Sequence, residues 1–311
     1  PSFKHTGSEL RLSGPSLSPL WDPAHRTPLD VGFPFEDVSL ASASAEHPLQ
    51  GWLVDRRGAA KDAGHDPTLL LFVHGGGRDR RAHLRHLPHY LNHADLSTAS
   101  ALLYDFRDHG TSSADGHGLT LGVHEAADLL AVLRGVVDTL GFKRVALIGT
   151  STGASAALVA AAVQSHYGRA GALTCIVSEN AFSTAEANMR SLIPVGLRVA
   201  GLDTPLRRAL MAPFTFSASL WMGAIVRHAL SSIRRLPATT VPMLRQGTAD
   251  ALLPVSHAHD LHAAADAASD STVEPLLIME GAPHCGLLDR DPDVYNRTVV
   301  GFVAKHAGQR L

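Results

Sequence analysis

The residues equipped for nucleophilic chemistry lie in three separate places. Gly149-Thr150-Ser151-Thr152-Gly153 sets one serine between two glycines, where the apolar run "RVALIG" gives way to the alanine-rich "ASAALVAAA". In a G-x-S-x-G turn of this kind a strand ends and a helix begins within one residue. The serine is forced into a strained backbone, and side chains at the glycine positions would collide as strand and helix close. The turn lifts Ser151 Oγ above the sheet edge at a helix N-terminus, which favours developing negative charge. It also aims the Thr152 N–H as one donor to an oxyanion. A hydroxyl is a weak nucleophile at neutral pH, so it needs a base, and the base needs an orienting acid.

Two later loops can supply them. Thr248-Ala249-Asp250 follows the run "VPMLRQG", and Gly281-Ala282-Pro283-His284 follows "TVEPLLIME". The order Ser151, Asp250, His284 is the one expected when an elbow serine precedes its acid and base. His284 alone among nineteen histidines lies just beyond a late core run. Glu179, at the end of "ALTCIVSEN", is an alternative acid, and Asp250 is preferred. A second oxyanion donor is expected in "FVHGGGRDRR", where glycines after a buried run can turn backbone N–H groups inward without a Cβ in the way. Gly76 is favoured over Gly75. The loop lacks G-K-[ST] and G-x-G-x-x-G, so it is not read as a phosphate cradle. The set requires no cofactor and no metal.

The elements that must position these residues follow from patterning. "FEDVSLAS" and "PLQGWLVD" alternate as an antiparallel entry pair. From residue 69 onward, continuous apolar runs ("TLLLFVHG", "SALLYDFRDHG", "RVALIG", "ALTCIVSEN") alternate with helical stretches, one of them the long "LTLGVHEAADLLAVLRGVVDTLG". Strands without polar alternation belong to a mostly parallel sheet covered on both faces, a doubly wound α/β arrangement. The rhythm stops at Ala181 and resumes at "VPMLRQG". Residues 182–236 therefore read as a helical cap inserted after the sixth strand, with residues 35–181 and 237–311 forming the catalytic domain. Residues 1–34, rich in proline, serine and glycine, read as an extended arm.

A chain of 311 residues with 45% hydrophobic content suits one large α/β domain. A net charge of −2 gives no electrostatic hold on nucleic acid. No apolar run approaches the roughly 18–20 residues that span a bilayer. Two cysteines, Cys175 and Cys285, cannot build a disulfide framework, and Cys175 in "ALTCIVS" reads as a buried thiol. The chain opens on Pro1 rather than Met, which agrees with a form processed by removal of a targeting peptide and leaves the compartment open.

Taken together, HGGG at 74–77, DFRDHGTSS at 105–113, GTSTG at 149–153, GTADALLP at 247–254 and GAPHCG at 281–286 resemble the α/β-hydrolase superfamily, over about residues 36–307. The resemblance implies the α/β-hydrolase fold and acyl transfer to water through a serine ester. It implies Ser151 as nucleophile, His284 as base, Asp250 as acid, and Gly76 with Thr152 as oxyanion donors. HGGG alone looks like the hormone-sensitive-lipase type. The D-x-R-x-H-G stretch and the cap position look more like the lipase, monoacylglycerol-lipase and peptidase-like branch, which is preferred. Departures from that pattern are Asp108 where glycine is usual, and Thr150 and Thr152 where histidine and methionine are frequent. A serine at the elbow argues against epoxide hydrolases and haloalkane dehalogenases.

His83, His86, His89 and His93 recur at near-helical spacing, and a solvated histidine-rich helix is expected there rather than a metal site. The cap carries seven arginines, Arg190, Arg198, Arg207, Arg208, Arg227, Arg234 and Arg235, against Glu186 and Asp203, beside apolar residues such as Leu192, Phe214 and Trp221. Two readings stand side by side: a lid with an apolar lining for the acyl group of a small-molecule substrate and a basic outer face that attracts anionic partners, and an ordinary amphipathic cap with a solvated arginine face. The alternative to a serine esterase is a non-catalytic scaffold whose N-terminal arm grips a protein partner.

Overall fold

The computed structural model describes residues 24–166, 170–184, 186–191, 204, 229–268 and 272–308. Eight strands form one sheet: β1 (Glu36–Leu40), β2 (Leu49–Val54), β3 (Thr68–Val73), β4 (Ser100–Tyr104), β5 (Arg144–Thr150), β6 (Leu173–Glu179), β7 (Val241–Gly247) and β8 (Leu277–Met279). Their order is β1-β2-β4-β3-β5-β6-β7-β8. β1–β2 and β2–β4 pair antiparallel, and every later pair is parallel.

The unbroken apolar runs are explained by burial on both faces. Successive strand side chains point to opposite sides. Leu69, Leu71 and Val73 of β3 enter one core with Leu129, Val132 and Leu133 of the helix His124–Asp138. Leu70 and Phe72 enter the other, with Leu84, Leu87, Tyr90 and the carboxyl-terminal Phe302 and Val303. β5 divides the same way, Val145 and Leu147 against Ala146 and Ile148. The helix Thr152–His166 has no apolar stripe, because it is buried nearly all round by small residues such as Ala154, Ala156, Ala157 and Ala161. Cys175 is a free buried thiol, its pKa pushed up to about 12 by burial.

Some boundaries differ from expectation. The long helix starts at His124, not near Leu119, because Leu121 and Gly122 adopt positive φ (53° and 97°) and Glu125 accepts from Thr120 N, Thr120 Oγ1 and Gly122 N. "TVEPLLIME" yields only Leu277–Met279, since Pro275 has no N–H to give a ladder. Of the arm, residues 1–23 lie outside the described residues. Pro28–Val31 forms a 3₁₀ turn, and Phe33 is buried with Arg56 stacked on its ring. Of the cap, residues 192–203 and 205–228 also lie outside them, and Arg190 pairs with Glu186 at 2.5 Å.

The histidine-rich helix is a correction. His83 and His86 are buried, with exposures of 1% and 2%, and pack among Phe72 and Tyr295. Burial pulls both imidazoles far down, His83 to about 3. The spacing follows the curve of a 3₁₀ turn, Arg80–His86, pressed against the sheet, not a solvated face.

Candidate active site

All the predicted site residues fall at the carboxyl ends of the parallel strands: Gly75 and Gly76 after β3, Ser151 and Thr152 after β5, Glu179 as the last residue of β6, Asp250 after β7 and His284 after β8. Ser151 has φ +53°, a left-handed conformation that costs a residue bearing a Cβ of order 1–3 kcal/mol. Its N–H donates to Glu179 O at 2.8 Å, tying the turn to β6. The glycines are obligatory. A Cβ on Gly153 would sit 2.2 Å from Val73 O, and one on Gly149 would sit 2.7 Å from Ala154 Cα. Thr152 opens the helix, whose first N–H groups have no partner within it.

The glycine loop lies directly beside the serine. A Cβ on Gly75 would be 3.1 Å from Ser151 Cβ and 3.8 Å from Ser151 Oγ, while Gly76 faces Thr152 Oγ1 and Leu119. His74 sets the loop's direction. Burial, with a contribution from His109, holds its pKa well below the usual imidazole value, so it is neutral. The Phe106 N–H donates to His74 Nε2 at 3.0 Å, which leaves the proton on Nδ1 to donate to Gly75 O at 2.8 Å. In a trans peptide, C=O and N–H point opposite ways. Holding the Gly75 carbonyl at His74 therefore turns the Gly76 N–H away from it. Asp105 braces the neighbouring loop by accepting from Arg80 N (2.8 Å) and Thr111 N (2.9 Å), and only a glycine fits at 110, where a Cβ would lie 2.0 Å from its carboxylate.

Asp250 and His284 meet: Nδ1 of the imidazole donates to Asp250 Oδ2 at 2.7 Å. Their loops are stitched together by Thr248 N to Met279 O (3.1 Å), Ala249 N to Ala282 O (3.1 Å) and Gly281 N to Thr248 Oγ1 (2.8 Å). Gly247 permits the crossing, because a Cβ there would lie 2.1 Å from Ala282 O. Asp250 Oδ2 also accepts from Asn180 Nδ2 (2.7 Å) and Gln246 Nε2 (2.8 Å), and Oδ1 from Leu252 N (2.8 Å) and Leu253 N (2.9 Å). Burial alone would raise this carboxyl, but His284 and the converging N–H donors hold it below the usual carboxylate value. His284 is likewise penalised by burial, yet the adjacent Cys285 sulfur and Asp250 carry its pKa upward. The upward direction rests on Asp250, the permanent neighbouring charge.

Glu179 does not reach the imidazole. Its Oε1 accepts from Leu287 N at 3.5 Å, and its pKa is raised by burial. Asn180 was not anticipated from sequence. At φ +54° it clamps both partners, donating to Asp250 and accepting from Cys285 N–H at 3.1 Å. The available signal was an asparagine closing a core strand, since Asn tolerates left-handed backbone better than other side-chain-bearing residues. Gln246, which also donates to Leu253 O at 2.8 Å, carried no sequence signal. Leu121, Phe182 and Leu253, with Met189 and Leu252, form a small apolar cluster next to the Asp250 loop.

The sequence profile of the Alpha/beta hydrolase family matches residues 70–298, which takes in every loop just described. The chain belongs to the alpha/beta hydrolase family. No curated protein matches the sequence. Among solved structures, this hydrolase-family chain is similar to the Pyrococcus furiosus esterase Pf2001, at 21% identity over 93% of this chain and 97% of that one, TM-score 0.67. An alpha-beta hydrolase from Vibrio vulnificus is 16% identical, covering 88% and 82%, TM-score 0.63. The acylaminoacyl peptidase of Pyrococcus horikoshii is 13% identical over 90% of this chain and 42% of that one, TM-score 0.60. At such identities the likeness is one of fold. No helix among the described residues is long and apolar enough to cross a membrane.

Proposed function

We propose that this alpha/beta hydrolase is a serine hydrolase that cleaves carboxylic esters through an acyl-enzyme. Ser151 attacks, His284 Nε2 takes its proton and returns it to the leaving alcohol, and Asp250 orients the imidazole and stabilises its charged form. The N–H groups of Gly76 and Thr152 receive the oxyanion, each such donor being worth about 3–4 kcal/mol in the transition state. Water then repeats the sequence on the acyl-serine, again with His284 as base.

One observation carries the reading. A buried carboxylate, fed by five N–H donors, holds His284 Nδ1, in a loop that follows the same sheet edge as a serine kept at φ +53°. A scaffold has no physical need for either expense. The apolar cluster of Leu121, Phe182 and Leu253 supports an apolar acyl group of short to medium length. The cap, residues 182–236, would act as its lid.

A fluorophosphonate probe tests the proposal. Labelling should be stoichiometric, map to the peptide carrying Ser151, and vanish in Ser151→Ala together with hydrolysis of p-nitrophenyl esters. A folded protein that refuses the probe, or turns over esters equally well as Ser151→Ala, would refute it.

A further inference from the structure

Outside the proposed catalytic set, one further group of side chains among the described residues has the composition of a ligand sphere. One donor atom each from Asp115, His117 and His124 lies within 4.8 Å of the other two. His117 Nδ1 stands 3.0 Å from Asp115 Oδ1, and the two imidazoles meet edge to face with centroids 4.9 Å apart. We propose that these three residues bind a divalent transition-metal ion of the zinc class, with water completing the shell.

The chemistry favours it on three grounds. Two imidazoles and one carboxylate form a donor set that suits zinc, at about 2.0–2.2 Å per ligand, which implies ligand atoms roughly 3.3 Å apart in a tetrahedron. Closing from 4.8 Å is a matter of side-chain rotation, since His117 is 62% exposed and His124 half-buried. Secondly, the carboxylate is held in place. Arg107 donates to Asp115 Oδ2 at 2.6 Å and the His117 backbone N–H to Oδ1 at 3.0 Å, which fixes Oδ1 beside the His117 imidazole with a lone pair still to give, and such outer partners orient metal ligands. Thirdly, the surroundings are anionic. The Arg107 charge is matched by Asp128 at 2.6 Å, and the Asp108 carboxylate accepts from Gly116 N and Gly118 N of the same loop. Asp115 and Asp108 thus leave an excess of negative charge for a cation to meet.

The location gives such an ion a consequence. Residues 115–122 connect the ligands to the wall of the proposed catalytic site. Leu119 abuts Gly76, its Cδ2 lying 2.6 Å from where a Cβ would be, and Leu121 is part of the apolar cluster with Phe182 and Leu253. An ion joining Asp115 and His117 to His124, the first residue of its helix, would fix both ends of this segment. Binding itself is independent of the hydrolytic reading, and only an effect on turnover rests on that reading.

The test is titration of Co²⁺ into the chelator-treated full-length chain, followed by its visible d–d absorption. One equivalent should bind with the intense bands of a four-coordinate site and be displaced by Zn²⁺. His117→Ala and His124→Ala should each weaken binding by more than about 100-fold, beyond the ~10–100-fold loss typical of an outer-shell partner. The exposed His259→Ala should leave it unchanged. Circular dichroism of each variant checks the fold, and Asp115→Asn provides a third ligand substitution. Absence of a saturable one-equivalent signal, or a signal indifferent to both histidine substitutions in folded protein, would overturn the proposal whatever the esterase assay shows.

Discussion

Asp250→Asn gives a prediction whose size follows from the hydrogen bonds. The carboxylate accepts three N–H donors at Oδ2 and two at Oδ1. An amide has one accepting oxygen and one donating nitrogen. If the nitrogen takes the Oδ2 position it confronts three donors. If it takes the Oδ1 position it confronts the Leu252 and Leu253 N–H groups. The second arrangement is less costly, and still leaves two buried donors unmet at about 1–3 kcal/mol each, so stability should fall by roughly 2–6 kcal/mol. Catalysis should lose more. Without the carboxylate nothing favours the imidazolium that forms as Ser151 is deprotonated, and a loss of about 10⁴ in kcat/KM is the expected scale for this change in a serine triad. That is about 5.4 kcal/mol of transition-state stabilisation.

The pH profile adds a signature. Asp250 raises the His284 pKa while burial lowers it, so the acidic limb of kcat/KM should move to lower pH in the variant. Hydrolysis of a p-nitrophenyl ester over a pH series, with unfolding monitored in urea, reads all three quantities. Glu179→Gln is the contrast, with kcat/KM expected within about tenfold of wild type. If Asp250→Asn keeps more than a tenth of wild-type kcat/KM, or if Glu179→Gln is the more damaging change, the assignment of the acid is wrong.

Ser151→Gly should abolish turnover yet raise stability by about 1 kcal/mol in urea unfolding, because glycine accepts φ +53° without strain. Gly153→Ala should be destabilised by at least about 3 kcal/mol or fail to fold, its Cβ meeting backbone at 2.2 Å, and an unchanged Tm would contradict the close crossing. Asn180→Ala should lose about 2–4 kcal/mol of stability and lower kcat more than it raises KM, through the two hydrogen bonds it forfeits. Acid sensitivity should come from His74, His83 and His86, whose folded pKa values are all depressed by burial. Their stabilising contribution is complete above the unfolded pKa near 6.5 and is lost as pH falls, because the unfolded chain takes up protons first. At one unit below that value each contributes a loss of about 1.4 kcal/mol, so the three together remove about 4 kcal/mol between pH 7.5 and 5.5. His83→Phe should cut that loss by about a third, and an identical slope would show that His83 is not the source.

The alternation of buried runs with helices was legible because a parallel sheet covered on both faces leaves no polar face to blur the pattern. The serine was legible for a different reason. A Cβ on Gly149 would meet Ala154 2.7 Å away within the turn, a local constraint that local sequence records, while Gly153 is dictated by Val73 O of β3 at 2.2 Å, and the two together produce the G-x-S-x-G pattern. Asp250 and His284 could be ranked by position after late strands, but their bond depends on Asn180, Gln246 and Gly247, which act across loops distant along the chain. His83 and His86 misled for the converse reason. Polar types at helical spacing suggest water, while the ring faces of His83 and His86 are consumed against Phe72 and Tyr295. The late start of the strand in "TVEPLLIME" and the late start of the helix at His124 reflect single residues, Pro275 and Gly122, that override a longer pattern.

The most direct test of the central claim is a crystal structure of the protein after reaction with an organophosphonate ester. The account predicts phosphorus on Ser151 Oγ and one phosphonyl oxygen about 2.7–3.1 Å from both the Gly76 and Thr152 nitrogens. His284 Nε2 should lie within hydrogen-bond reach of Ser151 Oγ. Phosphorus on another side chain, or an oxygen directed away from both nitrogens, would contradict it.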